Sequence, residues 1–531
     1  MFRAADLQQP IRAARHSYVV DRVDVSRLTS HIRIRRRGTV LLLVAASFWP
    51  LYVMAANPVS IARPERIAAI IAIVFVLGQV FVHLLSALGM HLEPAENTSF
   101  LVVVLLMSAG PLLRELGAAA VPLLLIMPIL AGWLFSRLEG QIIVAALVWG
   151  TAVAVSAGPL AALVDSLQSQ GPSAVVEARD VTAELVETPD IFLVVFDGYP
   201  GAIASDQDGL EPGDVDVVND LRNRGFEVPE SSWSTYWTTT LSIPSLLEMR
   251  YVVEREWIGL ATVTDLQRTV AGDNTLVDIL TANGYRTHMV ESGWSGGSCG
   301  AGFARCVPAP WVDEATYLTL EQTIAWAVLD TSPGPSIEGT LAAFDWLASN
   351  GTDLSRSSQP NFVFAHVVAP HPPLYLTPDC SLALDPSRGG TFFSLPGVSD
   401  QSRAEYLVEQ MDCMDTFMLS FADLIDPDDV VIYVSDHGTD RRKQNDPEYI
   451  DWDQEAIVER MNNFLALRLP EGCTLGDEVV VPNVFRGVLS CISDTPIEPL
   501  PERIWVNPMR ELEPGFVTDL LAGRADQTAS P

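Results

Sequence analysis

Lysine is almost missing from this chain. Lys443 is the single example among 33 basic residues, and arginine supplies the rest. Basic charge is also short overall: 66 acidic residues leave a formal net charge of -33. Such a balance excludes general electrostatic attraction to nucleic acid or to anionic lipid, and the acidity reads as a solvated surface. Cysteine is absent before Cys299, and the six that follow contain no Cys-x-x-Cys spacing. A zinc cluster of thiolates is therefore not expected.

Charge is nearly absent from much of residues 38–165, and apolar runs take its place. Five stretches occur in order: Val40–Ala56, Ile67–Leu88, Phe100–Leu113, Ala118–Phe135 and Ile142–Leu163. Most approach the roughly 20 residues a helix needs to cross a bilayer. A core helix of a soluble protein would explain any one of them, but not five in succession. Arg33, Arg35, Arg36 and Arg37 precede the first, with Arg12, Arg15, Arg22 and Arg27 upstream. Positive flanks stay in the cytoplasm, so five spans are expected to place the C-terminal part outside a plasma or inner membrane, although Arg63 and Arg66 then fall outside too. All six cysteines lie in that part, where an oxidising compartment favours disulfides. Cys299–Cys306 is expected as a local pair. Cys380–Cys413 and Cys473–Cys491 are one arrangement among many for the other four.

The organisation expected is a cytoplasmic segment (1–37), a five-helix transmembrane domain (38–165), a linker (166–189), a catalytic domain (190–513) and a tail (514–531). In the catalytic region, strand-like runs at Ile191–Phe196, Arg286–Val290, Asn361–His366, Asp429–Val434 and Asn463–Leu469 alternate with helical patterns such as Asn274–Asn283, Ser336–Ala348 and Arg403–Leu424. That alternation predicts an α/β domain with a largely parallel sheet. Active sites of such sheets lie beyond the carboxyl ends of the strands.

Polar residues at those ends carry the chemistry. Asp197 leaves the first strand, and Asp436–His437 leaves another, followed by Gly438. Carboxylate and imidazole together suit zinc or manganese, although each also occurs in capped turns. His366 ends a predicted strand, and His371 follows in a proline-rich loop; imidazole there can bind an anionic oxygen or move a proton. The run Ser234–Leu247 holds Thr238, Thr239 and Thr240 ahead of a helical pattern. A hydroxyl at a helix N-terminus faces an anion-binding end and becomes a nucleophile once a metal or base activates it. The plainer alternative is an ordinary N-cap.

Together these pieces resemble the membrane branch of the alkaline phosphatase/sulfatase superfamily: lipoteichoic acid synthases, lipid phosphoethanolamine transferases and sulfatase-like membrane hydrolase/transferases. The resemblance covers most of the chain and is strongest over 190–490. It implies five spans followed by an outward-facing alkaline-phosphatase-like domain, with a central mostly parallel sheet between helices. It implies one divalent metal, zinc or manganese, held by Asp197, Asp436 and His437 with Thr239. Thr239 is the threonine that fits the family's Thr-x-x-Ser-aliphatic-Pro pattern, through Thr239-Thr-Leu-Ser-Ile-Pro244. His366 and His371 match a histidine pair of the phosphoethanolamine transferases, of which the second contacts substrate phosphate or a second metal.

The sequence departs from that pattern in three ways. It has no Cys-x-Pro-x-Arg or Ser-x-Pro-x-Arg segment, which disfavours sulfate-ester hydrolysis through formylglycine. The cysteines that flank the transferase nucleophile are absent, as is a histidine downstream of the Asp-His-Gly motif. The function expected is transfer of a phospho-alcohol head group, of phosphoglycerol or phosphoethanolamine type, from a membrane lipid to an envelope glycan or lipid through phospho-Thr239. His371 would assist the leaving oxygen, and His366 would contact substrate. A hydrolase using water at the same site is the alternative; a non-catalytic binding protein of the same fold is a third reading.

Overall fold

The computed structural model describes residues 25–56, 64–116, scattered positions between 120 and 157, 173–176, 181–210, 216–254, 260–294, 296–309, 312–325, 327, 333–389, 398–442, 452–507 and 509–520.

The N-terminal part builds helices α1 (Val25–Ala56), α2 (Pro64–Ala87), α3 (Leu92–Met107) and the short α4 (Gly110–Leu116). α1, α2 and α3 pack on one another through Leu41, Leu42, Phe48, Val82, Phe100 and Val103. Among the described residues one helix, over Glu65–Ala87, is long and apolar enough to cross a membrane. The third apolar stretch is not one continuous helix. It breaks at Ser108–Ala109 into α3 and α4, where Pro111 has no N–H to continue a helix. The stretches Ala118–Phe135 and Ile142–Leu163 lie largely outside the described residues, as does most of the expected linker and the N-terminal arginine segment before Val25.

The C-terminal part is a six-stranded sheet in the order β4-β3-β5-β1-β6-β7. Its strands are β1 (Ile191–Asp197), β3 (Arg286–Val290), β4 (Arg305–Val307), β5 (Asn361–Pro370), β6 (Val430–Ser435) and β7 (Leu465–Arg468). Five run parallel, and β7 pairs antiparallel with β6 at one edge. β2 (Ser231–Trp233) and β8 (Glu478–Val480) form a separate parallel pair.

β1 shows why this sheet is a middle layer. All seven of its residues are buried. Phe192, Val194 and Phe196 enter one core with the helices Pro335–Ser355 and Asp400–Ala422. Ile191, Leu193 and Val195 enter the opposite core with the helices Thr239–Glu248, Thr275–Ala282 and Val484–Ile492. A strand's period of two sends alternate side chains to opposite faces, so a continuous apolar run is what a doubly covered strand requires. A third cluster, around Trp233, Tyr236 and Trp505, takes in Val517 and Leu520. The described end of the expected tail is therefore packed against the domain.

Two disulfides form, Cys299–Cys306 and Cys380–Cys413. The expected third does not: Cys473 and Cys491 are free thiols. They are neighbours, and burial, with the Cys473 thiol beside it, pushes the Cys491 thiol up to about 12.

The two parts of the molecule touch. Arg66, at the start of α2, pairs with Asp313 at 3.0 Å, and both side chains are largely buried. The Gly110 N–H donates to Gln322 O, and the Ile324 N–H donates to Leu106 O. The arginine expected on the outer side is thus matched to a carboxylate of the catalytic domain. Within the N-terminal part, Arg37 of α1 pairs with Glu93 of α3.

Candidate active site

Asp197 ends the strand at the centre of the parallel ladder, between β5 and β6. Gly198 follows with φ 76, a left-handed conformation that favours glycine, and turns the chain away at once. Asp436 and His437 follow β6 directly. Gly438 is required there for a different reason: a Cβ would sit 2.1 Å from Glu459 O.

Backbone donors fix the first carboxylate. The N–H groups of Gly198 (3.1 Å) and His437 (2.9 Å) both donate to Asp436 Oδ1, so Oδ2 is the free oxygen. His437 Nδ1 lies 3.0 Å from Gly438 O. That contact requires the proton on Nδ1 and leaves the lone pair on Nε2. Nε2 then faces Asp436 Oδ2 at 3.1 Å and Asp197 Oδ1 at 3.7 Å.

Thr239 is the first residue of its helix, and Thr238 is the N-cap, accepting from the Thr240 N–H. The sequence thus has both a cap and a half-buried hydroxyl at one helix end, where the dipole favours anions. Thr239 Oγ1 lies 3.1 Å from His437 Nε2 and 3.5 Å from Asp197 Oδ2.

His366 does not end its strand as expected; β5 continues to Pro370. Its Nε2 still reaches Asp197 Oδ2 at 3.8 Å, Nδ1 meets Ser292 Oγ at 3.3 Å, and Trp294 stands edge-on to the ring. His371 lies beyond β5. Its N–H donates to Asp197 O, and its Nδ1 to Pro372 O, so its free lone pair is also on Nε2.

Arg460 is the residue that sequence reasoning missed. It is 1% exposed and enters from the helix Gln454–Met461. Its Nε donates to Trp237 O, Nη1 to Gly438 O, and Nη2 to His437 Nε2 at 3.0 Å. No local sequence signal marks it, because its contacts lie 22 and 223 residues away in the chain. The motif after it, Asn462–Asn463, stitches the site together. Asn462 Oδ1 accepts from the Ala204 N–H, and Asn463 accepts from Ser232 Oγ.

Burial dominates the electrostatics. It raises Asp197 and Asp436 above the usual carboxylate range, while the positive charge of Arg460 pulls both back. Burial lowers His437, with Arg460 second. It also lowers His371 and takes His366 to about 3. Neutral imidazoles are the ligand form, and desolvated carboxylates gain most from a nearby cation.

The residues fit a divalent metal. One ligand atom from each of Asp197, Asp436 and His437 can be chosen so that all lie within 4.8 Å of one another. Asp197 Oδ1, Asp436 Oδ2 and His366 Nε2 are buried with no hydrogen-bond partner. Buried polar atoms are rarely left so, and a hard oxygen and imidazole set suits zinc or manganese.

Residues 212–458 match the sulfatase family model. The chain carries a sulfatase-family domain. The matched span includes Thr239, His366, His371, Asp436 and His437; Asp197 and Arg460 lie outside it. No curated protein matches the chain significantly. Solved structures similar to it include an alkaline phosphatase superfamily protein from Vibrio parahaemolyticus, with 14% identity, 65% of this chain and 81% of that one covered, and TM-score 0.40. The integral membrane lipooligosaccharide phosphoethanolamine transferase A from Neisseria meningitidis has 14% identity, coverage of 86% and 94%, and TM-score 0.36. The zinc complex of the C-terminal periplasmic domain of EcEptC from Escherichia coli has 10% identity, coverage of 65% and 92%, and TM-score 0.38. These likenesses do not bear on what the sulfatase-family domain acts upon.

Proposed function

We propose that the chain is a membrane-anchored, metal-dependent phosphotransferase. It moves a phospho-alcohol head group from a lipid donor to a cell-envelope glycan or lipid through a phospho-Thr239 intermediate. The observation that carries this reading is the approach of Thr239 Oγ1 to His437 Nε2 and Asp197 Oδ2 at a helix N-terminus.

Asp197, Asp436, His437 and Thr239 would hold a zinc or manganese ion, which would supply the positive charge that lowers the hydroxyl's pKa. Thr239 Oγ forms a bond to phosphorus as the bond to the lipid alcohol oxygen breaks. The helix N-terminus and Arg460 face the negative charge that develops on the phosphoryl oxygens. In the second step His371, neutral with Nε2 free, takes the proton of the incoming acceptor hydroxyl as that oxygen bonds to phosphorus and the phosphorus–Thr239 Oγ bond breaks, which leaves Thr239 as the alkoxide that attacks in the next cycle. His371 returns a proton to the leaving oxygen in the next cycle. His366 orients Asp197 and contacts substrate. The family label alone does not favour sulfate esters, because the formylglycine segment is absent from the sequence.

A lipid donor is favoured by where the domain meets the helices. Asp313 pairs with Arg66 of α2, and the charge of the next residue, Glu314, acts on Asp197. One short segment therefore links the apolar helices to the site.

The test uses the purified full-length chain in detergent with head-group-labelled phosphatidylglycerol or phosphatidylethanolamine. Intact mass of the trapped protein should show one phospho-alcohol on Thr239, and label should move to an added acceptor. Release of free head group alone would replace the transferase reading by the hydrolase one. Undiminished turnover by Thr239→Ala would remove both.

A further inference from the structure

Ser242 is the serine of the run Thr239-Thr-Leu-Ser-Ile-Pro244, about one helical turn beyond Thr239. It is fully buried, as is Ser234, which precedes the helix. A serine inside a helix commonly returns its hydroxyl to the carbonyl four residues back. Ser242 does not. Thr238 O accepts from the Ser242 N–H at 3.0 Å, and the hydroxyl passes on to Tyr236 O, six residues back, at 2.9 Å. Tyr236 is itself held, its ring stacked on Trp505 and its hydroxyl donating to Val253 O. The bond from Ser242 therefore ties the first turn of the helix to a fixed point ahead of it.

Ser234 carries the link across the site. Its Oγ lies 3.1 Å from Ser242 Oγ and donates to Asp436 O at 2.6 Å. Tyr236 O is also within reach of Ser234. Two hydroxyl hydrogens serve these two carbonyls one to one when Ser234 takes Asp436 O and Ser242 takes Tyr236 O. The Ser234 N–H donates to Met461 O at 2.7 Å, which holds this residue beside the helix that supplies Arg460. The two serines thus join the helix carrying Thr239 to the backbone of Asp436, without using the side chains of Thr239, Asp436 or His437.

We propose that Ser234 and Ser242 are positioning residues that set the reach of Thr239 Oγ to the Asp436–His437 pair. The inference rests on the reading of Thr239 as the nucleophile. Thr239 Oγ1 stands 3.1 Å from His437 Nε2, and a misplacement of about 1 Å at a reacting group costs on the order of a hundredfold in rate. Loss of either hydroxyl leaves a buried carbonyl without its donor and frees the first turn of the helix to shift against β6. Ser245 supplies the comparison on the same helix. It too is fully buried, but its hydroxyl donates to Arg250 O at 2.6 Å, at the helix end opposite Thr239.

The experiment compares S242A, S234A and S245A in the full-length chain purified in detergent. Crystal structures give the place of Thr239, and head-group-labelled phosphatidylglycerol or phosphatidylethanolamine gives the kinetics. S242A and S234A should each carry Thr239 Oγ out of hydrogen-bond reach of His437 Nε2. They should lower kcat about tenfold or more with KM within about twofold of wild type. S245A should lose as much in unfolding midpoint, yet keep Thr239 in place and kcat within about twofold. The double variant S234A/S242A should be slower than either single variant by no more than about threefold, because the two hydroxyls act as one link. An unmoved Thr239 in both S242A and S234A, or an equal displacement in S245A, would overturn the proposal. Failure of the phosphotransferase reading would show differently, as a wild-type chain that moves no label; the place of Thr239 in the three variants would still decide the positioning role.

Discussion

The same three strands carry buried ionisable groups at both ends, and the two ends differ. Asp190, Asn361 and Asp429 stand where β1, β5 and β6 begin. The Asn361 N–H and Nδ2 both donate to Asp190 Oδ1. The Asp190 N–H donates to Asp429 Oδ1, and Ser355 Oγ to Asp429 Oδ2. At the other end stand Asp197, His366, Asp436 and His437. Burial does not separate the two groups: Asp190 and Asp429 are 6% and 8% exposed, Asp197 and Asp436 4% and 2%. Nor does the direction of their pKa shifts, since desolvation raises all four carboxyls. Partners do. Asp197, Asp436 and His366 each keep a buried atom unpaired; Asp190, Asn361 and Asp429 keep none. A loose end at the lower side is His288 Nδ1, whose ring is otherwise tied to Asn361 by Nε2. Buried valence left unfilled, more than burial or acidity, marks the end of the sheet built to hold something else.

That distinction can be broken by mutation at both ends. The largest effect belongs to Thr239→Ala: under the proposed function it is expected to lower head-group release by about 10³-fold or more, because the proposed nucleophile is lost. Asp190→Asn, equally buried, should leave turnover per folded molecule within about twofold of wild type. Next comes metal content. Elemental analysis of Asp436→Asn should show most bound zinc or manganese gone, since a charged ligand becomes neutral; Asp190→Asn should retain it. Equal loss from both variants would dissolve the contrast. Arg460→Lys should cost about 10- to 100-fold in kcat with a smaller change in KM. Lysine keeps the charge, but it cannot hold Trp237 O and Gly438 O while facing the site.

The sheet and much of the site were legible because they rest on local pattern. Arg286–Val290 is a strand with the expected limits, and Ile191–Phe196 is extended by one residue. The positions of Asp197 and Asp436–His437 followed from polar residues placed directly after apolar strands. The threonine run Thr238–Thr240 was readable from a helix-entry pattern, and the choice of Thr239 within it came from the resemblance to the transferases' Thr-x-x-Ser-aliphatic-Pro pattern. Arg460 was not, because its meaning depends on contacts with Trp237 and Gly438, 223 and 22 residues away. Periodicity carries no such information. His366 looked like a strand end because Pro370 is the next obvious breaker; instead proline ends β5 only after four more paired or extended residues. The number of spans was the least legible. A run such as Phe100–Leu113 is apolar enough to read as one helix, yet it is two, parted at Ser108–Ala109 just ahead of Gly110 and Pro111.

The smallest effect tests the satisfied end on its own terms. Burial, followed by the opposing hydrogen bond from the Asn361 N–H, places the Asp190 carboxyl at about 6 against an ordinary 3.8. The folded chain therefore holds this proton more tightly than the unfolded chain does. Its contribution to stability is full below pH 3.8 and is lost as the pH rises through about 6. Asparagine at this position keeps an oxygen for the Asn361 donors and cannot ionise. Between those pH values, the unfolding midpoint of wild type should therefore fall relative to that of Asp190→Asn. The expected divergence is about 2 °C once solvent screening at a partly open site is allowed for. Near-ultraviolet circular dichroism of the two proteins over pH 4–7 measures it. The comparison is made as a difference because Asp415, also raised by burial but outside this network, titrates in both proteins alike. Parallel curves would mean that the Asp190 carboxyl is not held by this network. The lower end of the sheet would then lose its standing as the satisfied counterpart of the catalytic one.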